Sequence, residues 1–245
     1  MKLSRVVIMM MLVAIAGMII SAPRVYAYPI SVGDQIKFKF AYGNENRAGD
    51  GIDGIGGVFG AYNTSGKLLF ETFCLETNES ISLNSYYHVG SISGLVTYNG
   101  YAELKGYIPP IDGDPLDTRT AYLFQNFAMT SLGYEHTSIN ANALQRAIWF
   151  IEQEYGNIIP GDKNKPPIQA VLDQYLGTDP TGILAQQFFN LANANANGSL
   201  YGVQVVNVID GNRQSMLVAV AEPWLLILLG IGLSAVGLAA RRYPI

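Results

Sequence analysis

The chain has 245 residues, with 15 Lys and Arg, 19 Asp and Glu, and a formal net charge of −4 at pH 7. Five of the basic residues and one of the acidic residues lie in residues 1–27 and 221–245, which leaves 10 basic and 18 acidic side chains, a net charge of −8, for residues 28–220. An acidic surface repels a phosphate backbone, which argues against nucleic acid as a partner. The roughly 190 residues between the two ends suit one domain with a sizeable core.

Residues 1–27 have the composition of a secretory signal peptide. Lys2 and Arg5 give a positive start, residues 6–20 are apolar, and small residues lead to a Val-x-Ala site that ends at Ala27. This order predicts export and cleavage after Ala27, because the apolar run is short for a full membrane span. The alternative is a retained transmembrane anchor.

The first half of residues 28–220 has β-strand patterns. Residues 35–40 alternate polar and apolar side chains, as a strand with one buried face does. Residues 43–60 are dense in Gly, Asn and Asp and are predicted to form turns. Further strands are predicted over residues 67–75, 85–89 and 95–98.

Helical patterns begin near Arg119. The first predicted helix carries Tyr122, Phe124, Phe127 and Ala128 on one face, and three more are predicted over residues 138–155, from 166–167 to 175, and over 183–194. The chain returns to strand over residues 203–209 and 214–220, which flank a hairpin loop. The order of elements predicts an α+β domain, with a mostly antiparallel β core and an inserted or packed helical block.

Residues 221–245 have the pattern of a membrane-anchoring tail. Residues 224–240 are apolar and uncharged, with Glu-Pro before them at 222–223 and Arg-Arg after them at 241–242. Basic residues after a span keep that end in the cytoplasm, so the preceding domain is predicted to lie outside. A buried core helix is the alternative.

The Glu-Pro, apolar helix and Arg-Arg order resembles the PEP-CTERM sorting tail, which an exosortase, a membrane protease, cuts in its family. Ala221 stands where that family has Pro. The resemblance implies an exosortase-like processing partner. It also implies a location at the cell envelope, outer surface or extracellular matrix, with at least transient anchoring by the C-terminal transmembrane helix.

The single cysteine, Cys74, cannot form an intrachain disulfide, so its presence in an exported protein calls for a reason. It lies in Phe73-Cys74-Leu75-Glu76 on a predicted strand, and Leu144-Gln145-Arg146-Ala147-Ile148-Trp149 lies on a predicted helix. The two segments resemble the two motifs of the bacterial thioester domain of surface adhesins, which are aromatic-Cys-hydrophobic-acidic and hydrophobic-Gln-x-Ala-hydrophobic-Trp. Leu144 stands where the family often has Thr.

The resemblance implies that an intramolecular thioester joins the Cys74 sulfur to the side-chain carbonyl of Gln145. It implies a nonenzymatic adhesin without a cofactor, which attaches covalently to an amine or hydroxyl on an extracellular protein or polysaccharide. Because a Gln amide is a poor electrophile, thiol attack needs the two groups held in reacting contact and the developing oxyanion stabilised. Four neighbours form the expected supporting shell that excludes water: Phe73, Glu76, Ile148 and Trp149.

Two other interpretations of Cys74 remain open. A free Cys is often a buried core residue, and a helix Gln is usually solvated, which would make the chain a noncovalent structural or exopolysaccharide-associated envelope protein. Alternatively, His88 or His136 activates Cys74 in a cysteine hydrolase, although no third orienting residue is evident.

Asp112, Asp114 and Asp117 place three carboxylates within six residues, which could hold a calcium ion. The segment lacks the Gly at the sixth position and the distal Glu that an EF-hand loop has. An acidic solvated loop is therefore the preferred interpretation, and no metal site is predicted.

Overall fold

A computed structural model describes residues 30–42, 57–76, 81–96, 113–128, 137–152, 169–210 and 215–220. Those residues form eight strands, β1 (Gln35–Tyr42), β2 (Val58–Asn63), β3 (Leu68–Thr72), β4 (Tyr86–Ser93), β5 (Leu95–Val96), β6 (Asp114–Pro115), β7 (Val203–Val208) and β8 (Ser215–Ala219). They also form four helices, α1 (Thr118–Ala128), α2 (Ser138–Ile151), α3 (Gln169–Leu176) and α4 (Pro180–Asn195).

Six of the strands form one antiparallel sheet in the order β3-β2-β1-β4-β7-β8, while β5 and β6 pair separately. The predicted α+β class with a mostly antiparallel core is therefore confirmed for the described residues. The predicted hairpin between the last two strands is also present, since Val203 pairs with Ala219 and Asn207 with Ser215.

The sheet curls until its two edges meet. The end of β3 and the residues that follow it pair with β8. Thr72 Oγ1 donates to Leu217 O at 2.6 Å, Leu217 N donates to Phe73 O at 3.3 Å, and Leu75 N donates to Ser215 O at 3.0 Å. An antiparallel bridge joins Cys74 and Met216. We call residues 72–75 and 215–217 the seam. The seam satisfies backbone groups that an open edge strand would leave unpaired.

The apolar side chains form two clusters. The inner cluster takes residues from all six strands of the sheet and includes Ile36, Phe38 and Met216. The helix cluster combines residues from all four helices with Phe73, Leu217 and others on the opposite face of the seam. Successive strand residues point to opposite faces, so neighbouring seam residues enter different clusters.

The side chains of strand β1 alternate between the core and the outer face of the sheet. Ile36 and Phe38 are fully buried, whereas the alternate residues Lys37 and Lys39 lie outside and place their ammonium groups over the rings of tyrosines on β4 and β2. The predicted alternation over residues 35–40 is therefore confirmed, with one buried face and one exposed face.

Helix α2 is the central helix of the domain. All of its residues from Ala141 to Ile151 are buried, including the polar Asn142, Gln145 and Arg146. Arg146 donates hydrogen bonds to Leu176 O at 2.9 Å and to the Asp179 carboxylate at 3.0 Å, which fixes α2 against the α3–α4 turn. These contacts hold Gln145 in a defined position.

Several element boundaries differ from the predictions, including the end of β4, which runs to Ser93 and not 89. The turn segment predicted over residues 43–60 is wrong at its end, because β2 begins at Val58 with side chains that the core buries. Helix α2 ends at Ile151, earlier than predicted. Helix α4 starts at Pro180, three residues earlier than predicted, because the Asp179 side chain accepts a hydrogen bond from Gly182 N and caps the first turn.

The predicted signal peptide, residues 1–27, and the predicted sorting tail, residues 221–245, lie outside the described residues. Within the described part of the chain, every helix falls short of the length and apolarity that a membrane span requires.

Candidate functional site

The seam orients the backbone of Cys74. Cys74 and Met216 form an antiparallel bridge, but the hydrogen bonds with β8 are made by the two neighbours of Cys74. Phe73 O accepts a hydrogen bond from β8, and Leu75 N donates one to it. In such an antiparallel pair, the N–H and C=O of the bridged residue point away from the partner strand. The Cys74 backbone therefore presents one donor and one acceptor on the side opposite β8.

The side chain of Gln145 meets both of these groups. Cys74 N donates to Gln145 Oε1 at 3.1 Å, and Gln145 Nε2 donates to Cys74 O at 2.7 Å. Cys74 is 5% exposed and Gln145 is 1% exposed. The structure thus brings together the two residues that the sequence pairs, and the buried Gln145 carboxamide lies against the residue that carries the thiol.

Burial controls the charge state of the thiol. Desolvation raises the pKa of Cys74 well above its usual range, and the negative charge of Glu76 raises it further. Glu76 is itself buried, and its Oε2 accepts a hydrogen bond from Ser215 N at 2.7 Å. The resting thiol is therefore protonated at neutral pH, so any attack by sulfur must move that proton within the site.

The predicted shell residues divide between the two clusters. Trp149 belongs to the inner cluster together with Cys74. Phe73 and Ile148 belong to the helix cluster, where the Phe73 ring meets the Phe127 ring edge-on at 5.1 Å. The strand and the helix therefore each send neighbouring side chains into different parts of the core, and the Cys74–Gln145 contact lies between them.

The indole N–H of Trp149 has an environment that was not predicted from the sequence. Its indole Nε1 is buried and has no hydrogen-bond partner among the described residues. Buried indole N–H groups usually find an acceptor. The sequence contains no signal for this feature, because it depends on how the ring is packed.

His88 lies in a separate, partly exposed polar cluster on β4, a central strand of the sheet. Its Nδ1 contacts Asp210 Oδ2 at 2.5 Å, and Gln35 Nε2 contacts its Nε2 at 2.9 Å. With both ring nitrogens engaged in this way, no hydrogen bond joins His88 to Cys74. His136, the other proposed activating residue, lies outside the described residues.

The pKa of Asp210 is lowered, chiefly by the hydrogen bond from the His88 backbone N–H at 2.6 Å and then by the His88 ring. Gln35 and Asp210 were not predicted as partners of His88. They are distant in sequence, and the pairing of β4 with β1 and β7 brings them together. We call His88, Gln35 and Asp210 the His88 cluster.

The acidic segment contributes an Arg-paired carboxylate. Arg119 donates to Asp117 Oδ2 at 2.6 Å and to Oδ1 at 3.0 Å, and Asp112 lies outside the described residues. Nearby, burial and the charge of Asp117 raise the pKa of Glu152 to about 8. In the part of the chain that the structure describes, no group of three or more His, Cys, Asp or Glu side chains could hold a metal ion.

No protein-family model, curated protein or solved structure matches the chain. The resemblance to the thioester domain therefore depends on the two short sequence motifs around Cys74 and Gln145.

Proposed function

We propose that this chain is an exported, envelope-anchored surface protein in which Cys74 and Gln145 form an internal thioester. The bond makes Gln145 an activated acyl group that attaches the protein to amine or hydroxyl groups of an extracellular protein or polysaccharide. The observation that carries the proposal is the pair of hydrogen bonds, at 3.1 and 2.7 Å, that fixes the Gln145 carboxamide against Cys74.

This contact favours thioester formation because it holds the Gln145 carboxamide next to the residue that carries the thiol, so the two groups need not meet by diffusion. Two groups held in reacting geometry gain a large effective concentration, which offsets the poor reactivity of an amide. The Cys74 N–H already donates to Gln145 Oε1, the oxygen that becomes negative when sulfur adds to the carbonyl carbon. The site therefore supplies both positioning and a first oxyanion donor.

The reaction balances without an external reagent. The Cys74 sulfur bonds to the Gln145 side-chain carbonyl carbon, the carbon–nitrogen bond of the carboxamide breaks, and the thiol proton leaves with the nitrogen as ammonia. In capture, an amine or hydroxyl adds to the same carbon, the carbon–sulfur bond breaks, and the nucleophile's proton returns to sulfur. The products are an amide or ester at Gln145 and a free Cys74 thiol.

Burial explains why the acyl group would persist. Cys74 and Gln145 are almost fully enclosed, and exclusion of water slows hydrolysis of a reactive bond. A partner nucleophile reaches the carbonyl carbon only when the surrounding shell opens. Capture is therefore expected to be slow in free solution and faster wherever a partner holds its nucleophile against the site.

Intact mass spectrometry of the protein purified from an exporting bacterium tests the proposal. The expected mass is about 17 Da below that of its sequence, because bond formation expels ammonia. Methylamine should restore one titratable thiol in denaturant, and the Cys74→Ala variant should have the full mass of its sequence. A wild-type chain with full mass and one titratable thiol before any treatment would exclude the thioester.

The same contact also favours a second candidate, a noncovalent structural or exopolysaccharide-associated envelope protein. The two hydrogen bonds already satisfy the backbone of Cys74, and the raised pKa of the thiol makes it a weak nucleophile. In this case Cys74 is a core residue at the seam. The mass measurement separates the two candidates directly.

The envelope location and the exosortase-like partner are part of the proposal and depend on the residues at the two ends of the chain. Fractionation of cells that carry a C-terminally truncated variant tests them. Removal of residues 221–245 is expected to release the protein from the envelope into the medium.

A further inference from the structure

The indole N–H of Trp149 is a buried donor without an acceptor in the described part of the chain. Trp149 is only 3% exposed, so water does not readily replace the missing acceptor. A buried donor that makes no hydrogen bond lowers the stability of the folded protein, and a native protein that retains one calls for an explanation.

The position of Trp149 suggests what the donor is for. Trp149 follows Gln145 by one helical turn on α2, and residues four apart lie on the same helix face. Side chains on a helix lean toward its N-terminus, which directs the indole toward the turn that carries Gln145. Trp149 also packs in the same inner cluster as Cys74. The unpartnered donor is therefore on the side of α2 that carries Gln145 and in the cluster that contains Cys74.

We infer that Trp149 Nε1–H and Cys74 N–H together form the oxyanion hole for thioester formation at Gln145. This inference rests on the proposed function. When the sulfur adds to the Gln145 carbonyl carbon, Oε1 becomes an oxyanion that accepts two hydrogen bonds. The Cys74 N–H already occupies one direction at 3.1 Å, and the Trp149 N–H takes the second as the carbonyl carbon becomes tetrahedral.

This arrangement stabilises the transition state rather than the ground state. In the resting protein the Trp149 N–H makes no hydrogen bond to any residue that the structure describes, Gln145 included, so it contributes nothing to holding that carboxamide. In the tetrahedral intermediate it gains a negatively charged acceptor in a site that excludes water. Interactions that exist only in the transition state are the ones that accelerate a reaction.

Substitution of Trp149 by Phe tests the inference, because Phe keeps an aromatic side chain and removes the N–H. The purified full chain is first incubated with ammonia in denaturant, which converts the thioester back to the Gln145 carboxamide and the Cys74 thiol. Ammonia and denaturant are then removed, and the loss of mass is followed with time. Removal of one oxyanion donor is expected to slow bond formation by roughly a hundredfold.

Stability separates a role in the reaction from a structural role. Trp149→Phe also removes part of a buried bicyclic ring, so its denaturant midpoint is expected to fall. Benzothienylalanine keeps the bicyclic ring and has sulfur in place of N–H, so this variant should form the bond as slowly as Trp149→Phe while its denaturant midpoint stays unchanged or rises. Phe189→Leu is the matched control. It removes the ring packed on Phe150 of α2, and it should lower stability without slowing bond formation in the folded protein.

The possible outcomes test the proposed thioester and the proposed role of Trp149 separately. A wild-type chain that never shows the mass deficit overturns the proposed function and this inference together. A wild-type chain that forms the bond, with the Trp149→Phe and benzothienylalanine variants forming it at the same rate, overturns only the role of Trp149. Slow formation in both variants, with the stability of the benzothienylalanine variant retained, supports it.

Discussion

The seam at Cys74 and the His88 cluster place polar groups in opposite surroundings. At the seam, the Gln145 carboxamide makes two buried hydrogen bonds with one backbone residue. In the His88 cluster, His88 and Asp210 form a shorter contact, yet their side chains are 44% and 45% exposed. Distance alone would rank the contact between His88 and Asp210 as the stronger interaction, whereas the energetic cost of breaking each one depends on whether water can replace the lost partner.

The same difference decides the direction of pKa shifts. Desolvation is the largest effect on the buried Cys74 and the half-buried Glu152, and it raises the pKa of both groups. In the His88 cluster, hydrogen bonds from His88 outweigh desolvation and lower the pKa of Asp210. Buried and exposed groups are therefore expected to differ in how much stability a substitution removes and in the direction of their pH dependence.

The largest expected effect is at Gln145. In a Cys74→Ala background, where no thioester can form, Gln145→Ala should lower the free energy of unfolding by about 3–5 kcal/mol. The substitution leaves the backbone N–H and C=O of residue 74 buried without partners, and it opens a cavity beside them. Urea denaturation followed by fluorescence measures the difference between the single and double variants.

Gln187→Ala on α4 is the matched control, because it is the same change on a helix at an exposed position. It should change stability by less than about 0.5 kcal/mol. If the two substitutions cost the same, the contrast between the buried seam and exposed positions would be wrong.

The sequence predicted the contact between Cys74 and Gln145 better than the surroundings of that contact. Both residues stand in short motifs, so the sequence alone pairs them. The division of Phe73 and Trp149 between two clusters was not predicted, because it depends on which face of the seam each residue occupies. The unpartnered N–H of Trp149 was not predicted for a related reason, since an indole in a sequence does not show whether an acceptor lies near it.

The fold was predictable where periodicity is strong and less so where turn residues mix with core residues. The alternation in β1 and the hairpin of β7 and β8 were recognised from local pattern. The start of β2 was assigned to a turn, because the Gly-rich residues before Val58 continue into a buried strand that contains Gly60. The closure of β3 onto β8 joins residues distant in sequence, and no local pattern indicates such a pairing.

An intermediate effect is expected at Glu152, just after the end of α2. Its pKa in the folded protein is about 8, against an ordinary value of 4.5, so between these pH values the folded state holds a proton that the unfolded state loses. Stability should therefore fall as pH rises across this window, by at most about 1.4 kcal/mol per pH unit. Glu152→Gln should remove that slope in urea titrations from pH 4.5 to 8, and a wild-type chain without the slope would show that water already solvates the carboxylate.

The smallest effect is expected at Asp210, and its sign is the reverse. Because the folded-state pKa of Asp210 is lowered, its stabilising contribution is present above the ordinary value of 3.8 and is lost as pH falls through the lowered value. Asp210→Asn should therefore be slightly less stable than wild type at neutral pH, and the difference should vanish at acid pH and shrink in high salt.

Gln35→Ala removes the neutral contact on the other ring nitrogen of His88 and should not share the acid dependence that arises from Asp210. A loss at Asp210 as large as that at Gln145, unaffected by salt, would mean that the His88 cluster is shielded from water much as the seam is, and exposure would then fail to explain why the two regions differ.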